Sequence, residues 1–497
     1  MDVDVAGSLA VEPTRVAWLG RLSRWLAAEG LLVVVLGVFT FLWAFAAPAF
    51  FEADSWLTLL GGREIAEHGI PHRDTWGVMT DGRAWIDQQW LAQLGFHGVA
   101  EVGGLRLAAL ASIALLFAPL ALAFAVARRR GASVRAVALV SIPGALSFTS
   151  FLRAQLLSHL LFVVLVALLC AESRRPSRRV LLAFPLLVLW ANVHGAVLVG
   201  AALTSLLGAS ELVAGRKRRP RRTGRALGIL AAPWLCVLAT PYGLATADYY
   251  RSTVANPVFP QALTEWMPPT LLSPTGLPFF ALAGVAIFAA ARGRARLTGF
   301  ELGVLALTLV GGLLAVRSIV WFAFTALMLV PALLERESGK PVPAALARSR
   351  VVGATAAAVL ALGGLVFVAV RPQDDFGRKW PDAVPAAVGD ALARDPDARV
   401  LATYEFGDWL LYERPELRGR IAFDGRWELF SPAEMRSILD YLWQVGEDWE
   451  APSRGYRVLV LNPRTQPDLV ETYARRPGVR TLYRDGRFAV YERPRGT

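Results

Sequence analysis

Sulfur, histidine and repetition are what this sequence has least of. Only two cysteines occur in 497 residues, Cys170 and Cys236, and both fall inside apolar segments. Neither a disulfide framework nor a thiolate metal site is therefore written into the chain. The five histidines are scattered outside any HExxH-type pattern, which removes the usual zinc-hydrolase motifs. There is no internal repeat, no low-complexity segment beyond short Pro/Arg linkers, and no phosphate-binding glycine loop in the tail. The missing repeat also counts against a transporter built from related halves.

Apolar sequence is what the chain has in abundance. It is 55% hydrophobic with a mean hydropathy of +0.43, and the apolar residues come in blocks long enough to span hydrocarbon. The net charge of +12 would suit nucleic acid, but the arginines sit in short runs between apolar blocks. That is how a positive-inside topology is written, and no nucleic-acid partner is expected. The first apolar block, from about Leu31 to Phe50, is too long for a signal-peptide core and reads as a retained anchor. VAWLGRLSRWLAAEG before it, with Trp18, Arg21, Arg24 and Trp25, reads as an interfacial helix on the cytoplasmic side.

The basic runs lie at Arg128 to Arg135, Arg174 to Arg179, Arg216 to Arg225, Arg292 to Arg296 and Arg336 to Arg350. If all are cytoplasmic, each intervening block crosses the membrane an even number of times. Blocks 136–171, 180–214 and 297–335 are each about 35 residues, roughly 50 Å as one helix against a core of about 30 Å. Each therefore reads as a hairpin of two spans. The apices turn polar: Ser150, Arg153 and Gln155 in SFLRAQ, Asn192 and His194 in WANVHG, Arg317 and Ser318 in AVRS. Blocks 226–240 and 277–291 are joined by a loop carrying Arg251 and Glu265 beside Trp266, and a last span runs from about Val351 to Val370.

The expected fold class is an α-helical polytopic membrane protein of about 11 transmembrane helices with a small C-terminal extracytoplasmic α/β domain. The N-terminus is expected in the cytoplasm and the C-terminus outside. Residues 1–371 would form the membrane domain and residues 372–497 the soluble one, whose size of about 125 residues is ordinary for an independent unit. ARVLATYE, RIAFDG, YRVLVLN, VRTLYRD and RFAVYER read as strands and SPAEMRSILDYLWQVG and QPDLVETYARR as helices, with a hairpin at Asp485-Gly486.

The most loaded connector is the first loop, residues 51–104. Asp54 or Ser55 can cap a helix carrying Trp56, Leu59, Leu60 and Ile65, which Gly69 and Pro71 would stop. Asp87 can cap a second, with Trp90, Leu91 and Leu94 on its apolar side. With Trp56, Trp76, Trp85 and Trp90 on board, both helices are expected to lie in the membrane interface with their acids facing water.

Asp54, two residues after Glu52, suits a general base toward an acceptor hydroxyl or a ligand for a divalent metal, and it suits a helix cap equally. Asp74 and Asp87 are candidates for substrate hydrogen bonding or for turn and cap roles. Arg153 and Arg317 lie in apolar surroundings, where an unpaired guanidinium costs about 3 kcal/mol. A lipid-linked phosphate would match their planar forks, and an ion pair with a loop carboxylate would serve as well. Gln155, Asn192 and His194 are polar groups at the same apices, with His194 a candidate phosphate or sugar ligand. Glu265 beside Trp266 could hold a sugar by stacking and hydrogen bonding.

This arrangement resembles the GT-C superfamily of membrane glycosyltransferases. The likeness lies in a long first loop with an acid just after the first span, many spans and a C-terminal extracytoplasmic domain, and Glu52 and Asp54 match the position of the family acid. The chain also resembles a group of bacterial membrane proteins with D-x-W early, W-A-N-x-H-G in the middle and D-G-R-x-E-L in the tail, here Asp54 to Trp56, Trp190 to Gly195 and Asp424 to Leu429. The GT-C resemblance implies an inverting transferase of the bacterial plasma membrane. It would move a sugar from a polyprenyl-phosphate-linked donor to an extracytoplasmic glycan, lipid or protein. Asp54 would act as base or as ligand to a divalent cation such as Mg or Mn, with membrane lipids as further partners. The W-W-D signature of oligosaccharyltransferases is absent, with only Gly407-Asp408-Trp409 in the tail, which counts against protein N-glycosylation. A non-catalytic envelope scaffold and a lipid-linked substrate transporter are the alternatives.

Overall fold

The computed structural model describes residues 13–146, 152–215, 220–338 and 342–495, so Ser150 lies outside the described residues. Apolar length sets the main layer. Among the described residues four helical stretches, Trp18–Ala49, Trp90–Arg129, Gln155–Arg174 and Ala344–Val370, are long and apolar enough to cross a membrane, and six shorter apolar helices accompany them. The chain is a multi-pass membrane protein.

The first helix, α1 (Pro13–Ala46), runs without a break from the Trp18–Trp25 region into the apolar block. The separate interfacial helix expected there is instead the first turns of the span, because nothing in the sequence breaks it. Helix α1 packs along Ala344–Val370 at very short range: a Cβ on Gly37 would stand 2.8 Å from the Ala357 carbonyl oxygen. Small residues allow two backbones to approach this closely. Helix α2 (Ala53–His68) and helix α3 (Trp90–Arg129) carry the first loop. Helix α3 bends at Gly103 and Gly104, the latter in the left-handed region at φ 66°, and Gln373 Nε2 donates to the freed Gly103 carbonyl at 2.9 Å.

The hairpins follow. Helices α4 (Val134–Leu146) and α5 (Gln155–Arg174) form one, α6 (Ala183–Ala191) and α7 (Val197–Gly215) the next. Helix α8 (Pro220–Val237) leads into α9 (Ala245–Val254), a short helix of the long connector. Gly299–Leu314 and Ile319–Leu329 form the last hairpin. Every residue of Ile319–Leu329 is buried, as an all-round apolar helix requires, so it forms the centre of the bundle. Of the described apex residues, Arg153, Asn192, His194, Arg317 and Ser318 fall between these helices, where the block lengths put them, and Gln155 opens α5.

The chain after Val370 forms a four-stranded sheet, β1 (Val400–Ala402), β2 (Val458–Leu461), β3 (Arg480–Arg484) and β4 (Ala489–Glu492), in the order β1-β2-β4-β3. β1 and β2 are parallel, and the other pairs are antiparallel, with the β3–β4 hairpin turning at Asp485-Gly486. RIAFDG is not a full strand. Its Ile421 makes parallel bridges both to Val400 and to Gly77 of the first loop, so the loop itself extends the sheet. ATYE also departs from expectation: Tyr404 begins a helix, Tyr404–Glu413.

That extension overturns the expected interfacial placement of the loop. Trp56, Trp76 and Trp85 are 2%, 1% and 2% exposed, buried against the C-terminal unit rather than offered to lipid. Trp56 packs on Trp380 and Tyr412 at ring distances of 5.7 and 5.2 Å. Two of the loop acids expected to face water, Asp74 and Asp87, are buried as well.

Candidate active site

Local capping decides what Asp54 faces. Glu52, not Asp54, is the N-cap of α2, and its backbone N–H donates to Ser55 Oγ at 3.1 Å. Asp54 therefore sits in the first turn with its carboxylate uncommitted to the cap. The Ser55 hydroxyl lies 2.7 Å from the Leu152 carbonyl oxygen, and Leu152 N–H donates back to Phe50. These bonds fix the start of α5 beside the start of α2, which brings Arg153 to Asp54.

A cavity of about 990 Å³ opens there, at the end of the bundle covered by the C-terminal unit. Six of the sequence candidates line it: Asp54, Arg153, Gln155, His194, Glu265 and Arg317. They form a chain of alternating charge. Arg153 reaches Asp54 Oδ2 at 2.5 Å and Glu265 Oε2 at 3.3 Å, and Arg317 meets Glu265 Oε1 at 3.5 Å. Gln155 Oε1 lies 3.4 Å from Arg153 Nη1, and the Arg317 guanidinium stacks 4.3 Å over Trp266. Burial opposes ionisation of Glu265, but Arg317 and Arg153 outweigh it and hold the carboxyl below the usual carboxylate range.

His194 stands in the α6–α7 turn. Burial, reinforced by Arg317 and Arg153, pushes its pKa down to about 3, so the ring is neutral. Its Nδ1 accepts from Ala196 N–H at 3.0 Å, which leaves Nε2–H as the donor.

Four candidates stand off the cavity wall. Glu52 pairs with Lys379 at 2.6 Å and Arg487 at 3.1 Å of the C-terminal unit. Asn192 accepts from Trp90 Nε1 at 2.9 Å and donates to the Val188 and Ala239 carbonyls, a joint between α3, α6 and the end of α8. Asp87 is buried and accepts from Gln89 N–H at 3.2 Å. Burial pushes its pKa up to about 7, against the opposing Gln89 hydrogen bond. Asp74 is fully buried and accepts from Trp76 N–H and Thr80 Oγ1 at 3.0 and 2.5 Å.

Asp74 also binds the residue that most tightly joins loop and tail. Arg426 is 1% exposed, donates to Asp74 Oδ1 at 2.6 Å and to both Asp424 oxygens at 2.8 and 2.6 Å, and lies between Trp76 and Trp85 at 4.0 and 4.2 Å from the ring centres. Beside it Val78 and Met79 N–H donate to Ile421 and Ala422 carbonyls at 2.7 and 3.1 Å. This clamp sets the D-G-R-x-E-L turn against the bundle, so that Gly425, Trp427 and Glu428 complete the cavity wall together with Tyr404. The sequence displayed that motif without revealing what it touches.

Among the described residues, no three histidine, cysteine, aspartate or glutamate side chains converge on one point. Asp54 and Glu265 are each engaged by a guanidinium. With both carboxylates paired to arginines, the side chains as they stand offer a divalent cation no ready set of ligands, and no step below uses one.

No family model and no curated protein matches the sequence significantly. Solved structures do match. ArnT from Cupriavidus metallidurans bound to undecaprenyl phosphate superposes with a TM-score of 0.51 at 14% identity, over 94% of this chain and 98% of that one. Archaeoglobus fulgidus AglB, an archaeal oligosaccharyltransferase in complex with an inhibitory peptide and a dolichol-phosphate, superposes with a TM-score of 0.52 at 12% identity, over 87% and 69%. The chain has the GT-C fold. Within that GT-C frame the charged cavity lies where α2, the hairpin turns and the C-terminal unit meet.

Proposed function

We propose that the chain is a membrane glycosyltransferase that moves a sugar from a polyprenyl-phosphate-linked donor to an acceptor on the outer side of the membrane. The observation that carries this reading is the alternating chain Asp54–Arg153–Glu265–Arg317 in one cavity. It sets a carboxylate suited to act as a base beside guanidiniums suited to a phosphate. ArnT, with undecaprenyl phosphate bound, and AglB, with a dolichol-phosphate, support a polyprenyl phosphate carrier for this chain.

In this account the lipid carrier enters between helices and its phosphate takes the Arg153 and Arg317 forks, with the His194 Nε2–H as a further donor. Asp54, released from Arg153, accepts the proton of the acceptor hydroxyl. The hydroxyl oxygen bonds to the anomeric carbon as the bond from that carbon to the phosphate oxygen breaks. The electron pair leaves with the carrier phosphate, where the two arginines stabilise the developing charge. A single displacement of this kind inverts the anomeric centre. The N-terminus then lies in the cytoplasm and the C-terminal unit, residues 372–497, outside, on a bundle of about eleven spans.

Lipid mass spectrometry of host membranes lacking the chain tests this. A polyprenyl-phosphate sugar should accumulate, and the native chain but not Asp54→Asn should clear it. An unchanged lipid profile, or full complementation by Asp54→Asn, would leave Asp54 a structural residue and return the scaffold reading.

A further inference from the structure

Positive charge on the cavity wall is scarce. Among the described residues the arginines lining it are Arg153 and Arg317, no lysine joins them, and the acids are Asp54, Glu265 and Glu428. Asp54 and Glu265 already match the two guanidiniums one for one. Before any lipid phosphate enters, the wall is therefore neutral, or negative where Glu428 is ionised.

Glu265 is the residue that closes this count. Its two oxygens face different guanidiniums, Oε2 toward Arg153 at 3.3 Å and Oε1 toward Arg317 at 3.5 Å. One carboxylate thus bridges two like charges that would otherwise repel. Its backbone is anchored beside Arg317. Val316 N–H donates to the Met267 carbonyl at 3.0 Å, which ties the turn carrying Glu265 to the turn carrying Arg317. Trp266 packs on Phe259 at 5.1 Å between ring centres and lies 4.3 Å from the Arg317 guanidinium. The two arginines hold the Glu265 carboxyl below the usual carboxylate range, so it stays ionised at neutral pH. A phosphate that takes the two forks does so with this carboxylate still in the cavity.

Size does not choose between donors here, because about 990 Å³ admits a phosphate or a pyrophosphate linkage. Charge does. Each diester phosphate brings about one negative charge, so a phosphodiester leaves the wall with an excess of about one and a pyrophosphodiester with about two. Uncompensated charge costs more in a partly apolar cavity than in water.

We propose that Glu265 is a specificity-determining residue that restricts the donor to a single phosphodiester linkage and rejects a pyrophosphate one. The inference rests on the transferase reading and narrows the donor class at the same charge chain. With Glu265 neutral, Arg153 and Arg317 would face Asp54 alone, and a pyrophosphodiester would meet the charge balance that a phosphodiester meets in the native chain.

The test uses the full chain in lipid nanodiscs and two probes, the methyl diesters of undecaprenyl phosphate and of undecaprenyl pyrophosphate. They differ by one charged phosphoryl group. The ratio of their dissociation constants is read on each preparation, so a loss of folded protein affects both alike. The native chain should hold the phosphate diester at least about tenfold more tightly, the factor that one added charge about 10 Å from a fixed carboxylate imposes at an effective dielectric of about 20. Glu265→Gln should abolish that preference, and Glu265→Asp, which keeps the charge, should retain it. Gln155→Glu, which adds a charge beside Arg153, should widen it. Equal affinities in the native chain, or tighter binding of the pyrophosphate diester with or without Mg²⁺ or Mn²⁺, overturns the inference and leaves the transferase reading in place. So does a preference that survives Glu265→Gln or is lost in Glu265→Asp. Should Glu265→Gln bind neither diester, an unchanged ratio in Gln155→Glu overturns it. A native chain that binds neither diester overturns the transferase reading itself.

Discussion

Asp54→Asn should slow turnover and yet tighten carrier binding. Arg153 is held by Asp54 at 2.5 Å and shared with Glu265 at 3.3 Å. A carrier phosphate must displace these carboxylates before it can take the guanidinium fork. The Asp54 side chain is 55% exposed and that of Arg153 24%, so the pair is screened by solvent and contributes about 0–1 kcal/mol. Removing the competing charge should strengthen undecaprenyl phosphate binding by up to about fivefold, the equivalent of about 1 kcal/mol. Losing the base should lower the transfer rate by about 10²–10⁴-fold. Equilibrium binding of the radiolabelled carrier and single-turnover transfer, on the same nanodisc preparation, separate the two effects. Weaker carrier binding in Asp54→Asn would mean that Asp54 positions Arg153 for the phosphate rather than competing with it, and the release step would have to be abandoned.

Other outcomes follow from the same geometry. Arg317→Gln should weaken carrier binding by about 1.5–3 kcal/mol, the usual contribution of a hydrogen bond to a charged group; unchanged affinity would place the phosphate elsewhere. Arg426→Met leaves Asp74 and Asp424 buried without their cation, at a cost of about 3–5 kcal/mol, and should expose the 72–88 strap to limited proteolysis well below the melting temperature of the native chain. Burial pushes the Glu428 carboxyl up to about 7, with Asp424, Asp54 and Asp87 disfavouring its charge, Arg426 favouring it and Tyr249 facing it. A carboxyl raised in this way favours the folded state fully below its unfolded pKa and progressively less as pH rises toward 7. Thermal stability should therefore fall between about pH 4 and 7 less steeply in Glu428→Gln than in the native chain, as a series of melting curves would show.

The helical layer was legible because span length and hairpin arithmetic depend only on apolar runs and arginine placement. Arg153, His194 and Arg317 were found for the same reason: each interrupts an apolar block at its midpoint, where a polar side chain is costly. Their partners were not legible. That Glu265 joins both arginines depends on how the 241–275 connector folds over the bundle, and no local pattern encodes that path. The tryptophans of the first loop misled for a physical reason. Indole suits a membrane interface and a protein interface equally well, and the choice was made by Arg426, 341 residues after Trp85, entering between two of them. Asp74 likewise had the look of a turn residue because its cation lies in another part of the chain. Glu428 and Trp427 stood in a visible motif, but that the motif faces the cavity follows only from the folded chain, where residues 77–79 and 421–422 pair across it.

The most direct measurement is to incubate the purified full chain with the lipid extract of its host and to follow polyprenyl-phosphate sugars by mass spectrometry. The account predicts that one sugar-bearing species disappears with stoichiometric appearance of free polyprenyl phosphate, and that Asp54→Asn binds this species without consuming it. Consumption by Asp54→Asn at the native rate, or no carrier-linked species consumed by the native chain in the presence of the same host's envelope glycans, would contradict it.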